Sequence, residues 1–299
     1  MKGTWGTLRR LTGRALARKY ADRVDAATRP YQFALQTRAG VDALAGALRA
    51  AVDLDSAATI VSIDGRAAYD SISRHAVFTA LCEHVPELVP FARAMYGHPS
   101  QYHWWDDLGQ HHQIPQGEGV EQGDPLAPAL YALGQHHALA QAATHLRDGE
   151  LLAAYLDDIY IVCPPERAAD LYTALTRSIA AHAGVAANQG KTRVYNRLGG
   201  PPPPGIAALG TDVWCGSQPP EANGLVALGT PIGTDFVAAY AHARLCGPST
   251  LPPGNHQPSG TGGRLAPAAL YCCPQIRPPP ADASPVPVHP LRYPARRPY

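Results

Sequence analysis

Apolar strands that end on aspartate restrict the fold of this chain more than any other feature. Ala57 to Ile63, centred on Thr59-Ile60-Val61, is β-branched and has the length of a buried strand, and it delivers Asp64 at its end. Leu151 to Tyr155 and Ile159 to Cys163 flank Leu156-Asp157-Asp158, the pattern of two short strands around a tight turn. A carboxylate at the tip of a buried strand is costly unless a cation or hydrogen bonds compensate it. Acidity alone does not single these residues out. Asp106-Asp107, after Trp104-Trp105, is equally acidic and falls in the turn of an expected hairpin, where aspartates serve turn geometry.

Around these strands the pattern is mostly helical. Thr7 to Ala27 and Val41 to Val52 carry Ala, Leu and Arg at helical spacing without internal proline, with an extended Tyr31 to Leu35 between them. Ser71 or Ser73 can cap a helix reaching about His84, and Pro86 to Tyr96 reads as another, closed by Gly97. Gln101 to Trp105 and Gln110 to Ile114 have the shape of a hairpin. Asp124-Pro125 opens an alanine-rich helix to about Leu146, and Pro165 to His182 forms a helix that Gly184 ends. Pro201 to Pro204 form a spacer, and Leu225 to Gly229 offers a last strand. Many of the thirty prolines crowd the segment beyond Pro248, which cannot bury enough apolar surface to offset its ordering entropy.

With 299 residues and 45% hydrophobic content the chain can build one main domain with appendages. No apolar run spans a bilayer and the first residues lack the apolar core of a secretory leader, so an intracellular protein without a membrane partner is expected. The six cysteines are scattered without zinc spacing and read as free thiols. The pairs His111-His112 and His136-His137 cannot readily chelate one ion, because adjacent residues point apart. A formal net charge of +1 is a weak footprint for gripping a polyanion. Positive charge is instead local: Arg9, Arg10, Arg14, Arg18, Lys19 and Arg23 crowd the first segment, as either a solvated face or a nucleic-acid contact.

Four segments in order resemble the consecutive motifs of reverse transcriptases, particularly those of non-long-terminal-repeat retroelements. Ser62-Ile63-Asp64-Gly65-Arg66-Ala67-Ala68-Tyr69 looks like the first palm motif, and Gly119-Val120-Glu121-Gln122-Gly123-Asp124-Pro125 like the second. Tyr155-Leu156-Asp157-Asp158 resembles the acidic hairpin motif, Asn188-Gln189-Gly190-Lys191-Thr192 the fourth, and Leu228-Gly229 a worn fifth. The resemblance implies an α+β fold: a polymerase palm of antiparallel sheet backed by helices, with partial fingers and little or no thumb. Residues 1–56 would be a helical remnant of the fingers, 57–236 the palm, and 237–299 a disordered Pro/Gly-rich tail. It implies RNA-templated DNA synthesis with an RNA template, a DNA primer and deoxynucleoside triphosphates. Asp64, Asp157 and Asp158 would ligate Mg2+, or Mn2+, for two-metal nucleotidyl transfer. Lys191 would act on the departing pyrophosphate. Tyr69, Gln122, Gly123, Gly65 and Arg66 would contact substrate, Tyr69 excluding a 2′ hydroxyl. Glu121 stands where the family often has Arg or Lys. Two other outcomes stay open: a catalytically inactive remnant that binds nucleic acid or protein, and an RNA-templated RNA polymerase. A retroelement origin suggests a nuclear site.

Overall fold

The computed structural model describes residues 4–246. The basic first segment forms α1 (Thr4–Lys19) and α2 (Ala21–Thr28), and α3 (Gly40–Leu54) follows. The single helix expected over Thr7 to Ala27 is therefore two, because Tyr20 leaves helical geometry at ψ 8° and buries its ring. Next come β1 (Thr59–Asp64), a one-turn α4 (Ala68–Ser71), α5 (Arg74–His84), α6 (Val89–Tyr96) and a hairpin of β2 (Ser100–Trp105) and β3 (His111–Gln116). Of the two serines proposed as caps it is Ser73 that serves, its hydroxyl accepting from the Ala76 amide at 3.3 Å. Helix α7 (Ala127–Ala143) leads to β4 (Leu151–Tyr155), β5 (Asp158–Cys163), α8 (Ala168–Ala183) and β6 (Arg193–Asn196). A small hairpin, β7 (Leu225–Ala227) with β8 (Thr230–Ile232), and α9 (Asp235–Cys246) complete the described residues. Helix α9 runs across the boundary expected at residues 236 and 237. The rest of the expected tail lies outside the described residues.

The central sheet has four strands in the order β4-β5-β1-β6, antiparallel throughout. Successive side chains point to opposite faces, and both faces are covered. Val61, Ile63, Ile159 and Ile161 pack with residues of α5, α7 and α8, while Ile60, Tyr160, Val162 and Tyr195 pack with Leu44, Leu48 and Val52 of α3. Each such side chain contributes about 1.5–3 kcal/mol on leaving water. Double coverage is why the strands read as continuous apolar runs. Helix α7 is enclosed on nearly all sides, and its Gly134 lets α5 approach so closely that a Cβ there would lie 2.7 Å from Val77. The palm-like arrangement of antiparallel sheet and helices expected from the motifs is present.

The histidine pairs split, His111 and His112 by strand alternation and His136 and His137 by the rotation of a helix. His111 stacks near His103 and Trp105 while His112 tilts against Trp104, and His136 and His137 contact different rings. Cys82, Cys163 and Cys215 are free thiols. Among the described residues no helix is long and apolar enough to cross a membrane.

Buried Arg74 fixes how the β2–β3 hairpin leaves the body. Its guanidinium donates to the carbonyls of Gly119 (3.0 Å), Tyr96 (3.3 Å) and His98 (3.0 Å), and its amide donates to Glu118 at 2.6 Å. One strand foot and the segment after the other are thus held by one side chain. Gly119, at φ 81°, presses against Asp70, whose carbonyl oxygen a Cβ would approach to 2.4 Å. Gly109 has a similar φ of 78° with open space around it. Gly119→Ala is expected to destabilise by more than about 2 kcal/mol and Gly109→Ala by about 1 kcal/mol, read by urea unfolding. Equal losses would show that crowding against Asp70 is absent.

Candidate functional site

The three aspartates meet at one end of the central sheet because of strand register. Asp64, the last residue of β1, pairs with Asp158, the first of β5, and Tyr155 closes the hairpin opposite Asp158. Asp157 is in the two-residue turn between β4 and β5, after Leu156, whose φ of 57° is rare for a side chain of this size. Asp64 and Asp157 line a common recess with Gly65, Tyr131 and Gln135, and Asp158 does not line it.

Electrostatics at this end are unfavourable to the metal-free chain. Burial raises the Asp157 carboxyl, its own backbone N–H opposes the rise, Asp64 adds to it and Lys191 opposes it. Burial, then Asp157, then Asp64 push Asp158 up to about 6. Lys191 stands 3.4 Å from Asp64 with 67% of its side chain exposed, a loose pair in solvent. Asn188 supports Asp64 more locally, donating from Nδ2 at 3.2 Å and from its amide to the Asp64 carbonyl at 2.8 Å. The donor set is entirely carboxylate, the ligand chemistry that suits a hard cation such as Mg2+ or Mn2+. Among the described residues, no three His, Cys, Asp or Glu side chains form a cluster that could hold a metal ion. An ion here would draw its remaining ligands from water and substrate.

The other motif residues gather around the same end. Tyr69 is half-buried and stacks on Tyr131, ring centroids 4.9 Å apart and planes within 5°. Burial, then Asp157, raise its phenol to about 12, so it is neutral. Gly65 is where only glycine fits, since a Cβ would stand 2.9 Å from Ala68 and 3.1 Å from Val185. Arg66 is exposed, with its amide donating to the Ala186 carbonyl at 2.8 Å. The 119–124 loop is tied to this end through the Val120 amide, which donates to the Tyr69 carbonyl at 2.7 Å. Gln122 and Gly123 are exposed on that loop, Gly123 at φ 85°.

Several contacts that support the site were not foreseen from the sequence. Arg9 of α1 pairs with both Glu121 and buried Asp124 at 2.9 Å, and Tyr96 donates to Asp124 at 2.6 Å. The charge of Glu121 is thus answered by α1. Asp124 does not cap α7, which begins at Ala127 after Leu126; its carboxylate instead holds the turn before the helix, accepting from the Leu126 amide at 2.9 Å. Behind the acidic turn, Gln32 accepts the Leu156 amide at 3.0 Å and donates to Gln135 at 2.9 Å, and Gln135 donates to Tyr131 at 3.2 Å. A glutamine inside apolar Tyr31-Gln32-Phe33, and another on an apolar helix, were the available signals, since buried amides are kept only where they find partners. Asp106-Asp107 behaves as a turn. Asp106 accepts the amides of Leu108 (3.0 Å) and Gln110 (2.8 Å), and contacts His112 at 3.0 Å.

A family model described as "Reverse transcriptase (RNA-dependent DNA polymerase)" matches residues 2–227. The retrotransposable element SLACS 132 kDa protein of Trypanosoma brucei gambiense is 26% identical over 149 residues, which are 49% of this chain and 12% of that protein. Among solved structures, a Candida albicans telomerase in complex with a fragment of telomeric RNA is similar at a TM-score of 0.51 and 14% identity, covering 75% of this chain and 38% of that one. That likeness is one of fold. An apo telomerase from Candida tropicalis, truncated from its C-terminal domain, gives a TM-score of 0.46 at 12% identity over 62% of this chain and 41% of the other. The chain therefore spans well under half the length of these proteins.

Because folding raises the Asp158 carboxyl, folding disfavours its ionised form. The contribution to stability is complete below the unfolded value of 3.8 and is lost as pH rises through about 6. Without divalent ions, Asp158→Asn is expected to raise the midpoint of thermal unfolding relative to the unchanged chain more at pH 7 than at pH 4. A pH-independent difference would contradict this electrostatic picture.

Proposed function

The chain belongs to the reverse transcriptase (RNA-dependent DNA polymerase) family, and on that premise we propose that it synthesises DNA on an RNA template and derives from a retroelement. The observation that carries the reading is the register that sets Asp64 beside Asp158 and opens Asp64 and Asp157 onto one recess. The SLACS likeness supports the retroelement origin.

Asp64 and Asp157 would offer carboxylate oxygens to divalent ions, with Asp158 in support. Two such ions, when bound, stabilise the attacking and leaving oxygens of an in-line displacement at the α-phosphate. Tyr69, held flat by Tyr131 and neutral, would lie under the sugar and exclude a 2′ hydroxyl. Gln122 and Gly123 would border the nucleotide and template, glycine permitting close backbone approach. Gly65 keeps the end of β1 free of side-chain bulk, and exposed Arg66 would face triphosphate oxygens. Lys191, loosely paired and solvated, can move from Asp64 to meet the departing pyrophosphate. RNA template, DNA primer and deoxynucleoside triphosphates are the partners this chemistry needs.

Extension of a DNA primer on an RNA template tests the reading directly. With Mg2+ or Mn2+, the unchanged chain should extend with deoxynucleotides and prefer them to ribonucleotides, and Asp157→Asn should lose at least about a hundredfold in rate, as expected when a charge-stabilising group is removed. Equal rates for the two chains would remove the metal role. Preference for ribonucleotides would make it an RNA polymerase, and no extension by either would leave a non-catalytic remnant.

A further inference from the structure

The β2–β3 hairpin projects its aromatic residues into solvent on both faces. Tyr102, Trp104, Trp105 and Ile114 are all exposed, from 45% to 60%. Register places Ser100 opposite Gln116, Tyr102 opposite Ile114 and Trp104 opposite His112, so these six share one face. Gln101, His103, Trp105, His111 and Gln113 fall on the other. An isolated two-stranded hairpin is marginal in water, and grouped exposed rings mark a contact surface.

Its position indicates what that surface meets. Arg74 holds the approach to β2 through Tyr96 and His98, and the exit from β3 through Glu118 and Gly119. The residues that immediately follow are Val120, which is bonded to Tyr69, and the Glu121–Gly123 loop. Tyr102 senses Glu121 and Asp70, which, after burial, raise its phenol. Neither strand contains Lys, Arg, Asp or Glu, and Ile114 is the one aliphatic side chain longer than proline. Rings interleaved with amides and imidazoles, and lacking charge, match the faces and edges of unpaired bases better than a charged or aliphatic peptide.

We propose that the face bearing Tyr102, Trp104 and Ile114 is a stacking platform for unpaired bases of a single-stranded RNA template, beside the 119–124 loop. The proposal rests on the polymerase reading and adds the residues that grip template outside the recess. Stacking without phosphate contacts makes this part of the affinity insensitive to salt, in contrast to binding by Lys and Arg.

The test is binding of a labelled single-stranded oligouridine RNA to the full chain, by anisotropy over a range of salt concentrations. The double variant Tyr102→Ala/Trp104→Ala should bind at least about tenfold more weakly with an unchanged slope of log affinity against log salt. Trp105→Ala, on the opposite face, should lose less than about threefold, the range left when no base is unstacked. Affinity for the double variant within about twofold of the unchanged chain overturns the proposal, as does an equal loss in Trp105→Ala. Unchanged RNA affinity with altered sedimentation of the double variant overturns it in favour of a protein contact. Failure of the two readings is separable. If primer extension is absent but the double variant still loses RNA, the platform stands and the polymerase reading falls. If extension proceeds and RNA affinity is unchanged, the platform alone falls.

Discussion

Pairing Asp64 with Asp158 at the end of a covered sheet is the constraint on which the rest of the structure depends. Strand register, set by Ile63 against Ile159 and the apolar pairs behind them, leaves no freedom to separate the two acids. A slip of one residue would exchange the side chains of β1 between the α3 face and the face covered by α5, α7 and α8, disrupting the packing on both. Hydrophobic burial along two strands therefore fixes the position of like charges at their tips. Repulsion and desolvation there act against the folded, metal-free chain, as the raised carboxyls of Asp157 and Asp158 record. Sites are where such local cost is retained.

The turn that carries Asp157 is held from behind. A left-handed Leu156 costs about 1–3 kcal/mol by itself. Gln32 captures the Leu156 amide, and its own amide reaches Gln135, then Tyr131, then the ring of Tyr69 by stacking. The acidic turn and the floor proposed for the sugar are thus coupled through one buried polar chain. Arg9 and Tyr96 do the same for the 119–124 loop from α1 and α6, through Asp124. Charge in the first segment is in this respect structural, and the net +1 of the whole chain conceals it.

Elements with a strong local pattern were legible in the sequence. β1 and β5 announce themselves by β-branched runs, β4 by its apolar run before the acidic turn, α5 by Ser73, and the end of α8 by Gly184 in left-handed geometry. β6 was not legible, because Arg193–Asn196 is too short for a period and follows a Gly-Lys stretch that reads as loop. β8 was hidden for the same reason, its Pro231 reading as a strand breaker. Tyr20 splits a helix whose periodicity continues across it. In the site, the aspartates and Tyr69 could be named from motif order, whereas Gln32, Gln135 and Arg9 depend on partners more than a hundred residues away. No local rule reaches such pairs.

Calorimetric titration with Mn2+ in the absence of nucleotides tests most directly whether Asp64 and Asp157 form one cation site. Compared with the unchanged chain, Asp64→Asn and Asp157→Asn should each weaken the same binding event, and the double variant should lose little beyond either single one, since two ligands of one ion act as a unit. Additive, independent losses, or Mn2+ affinity unchanged in both single variants, would contradict the account.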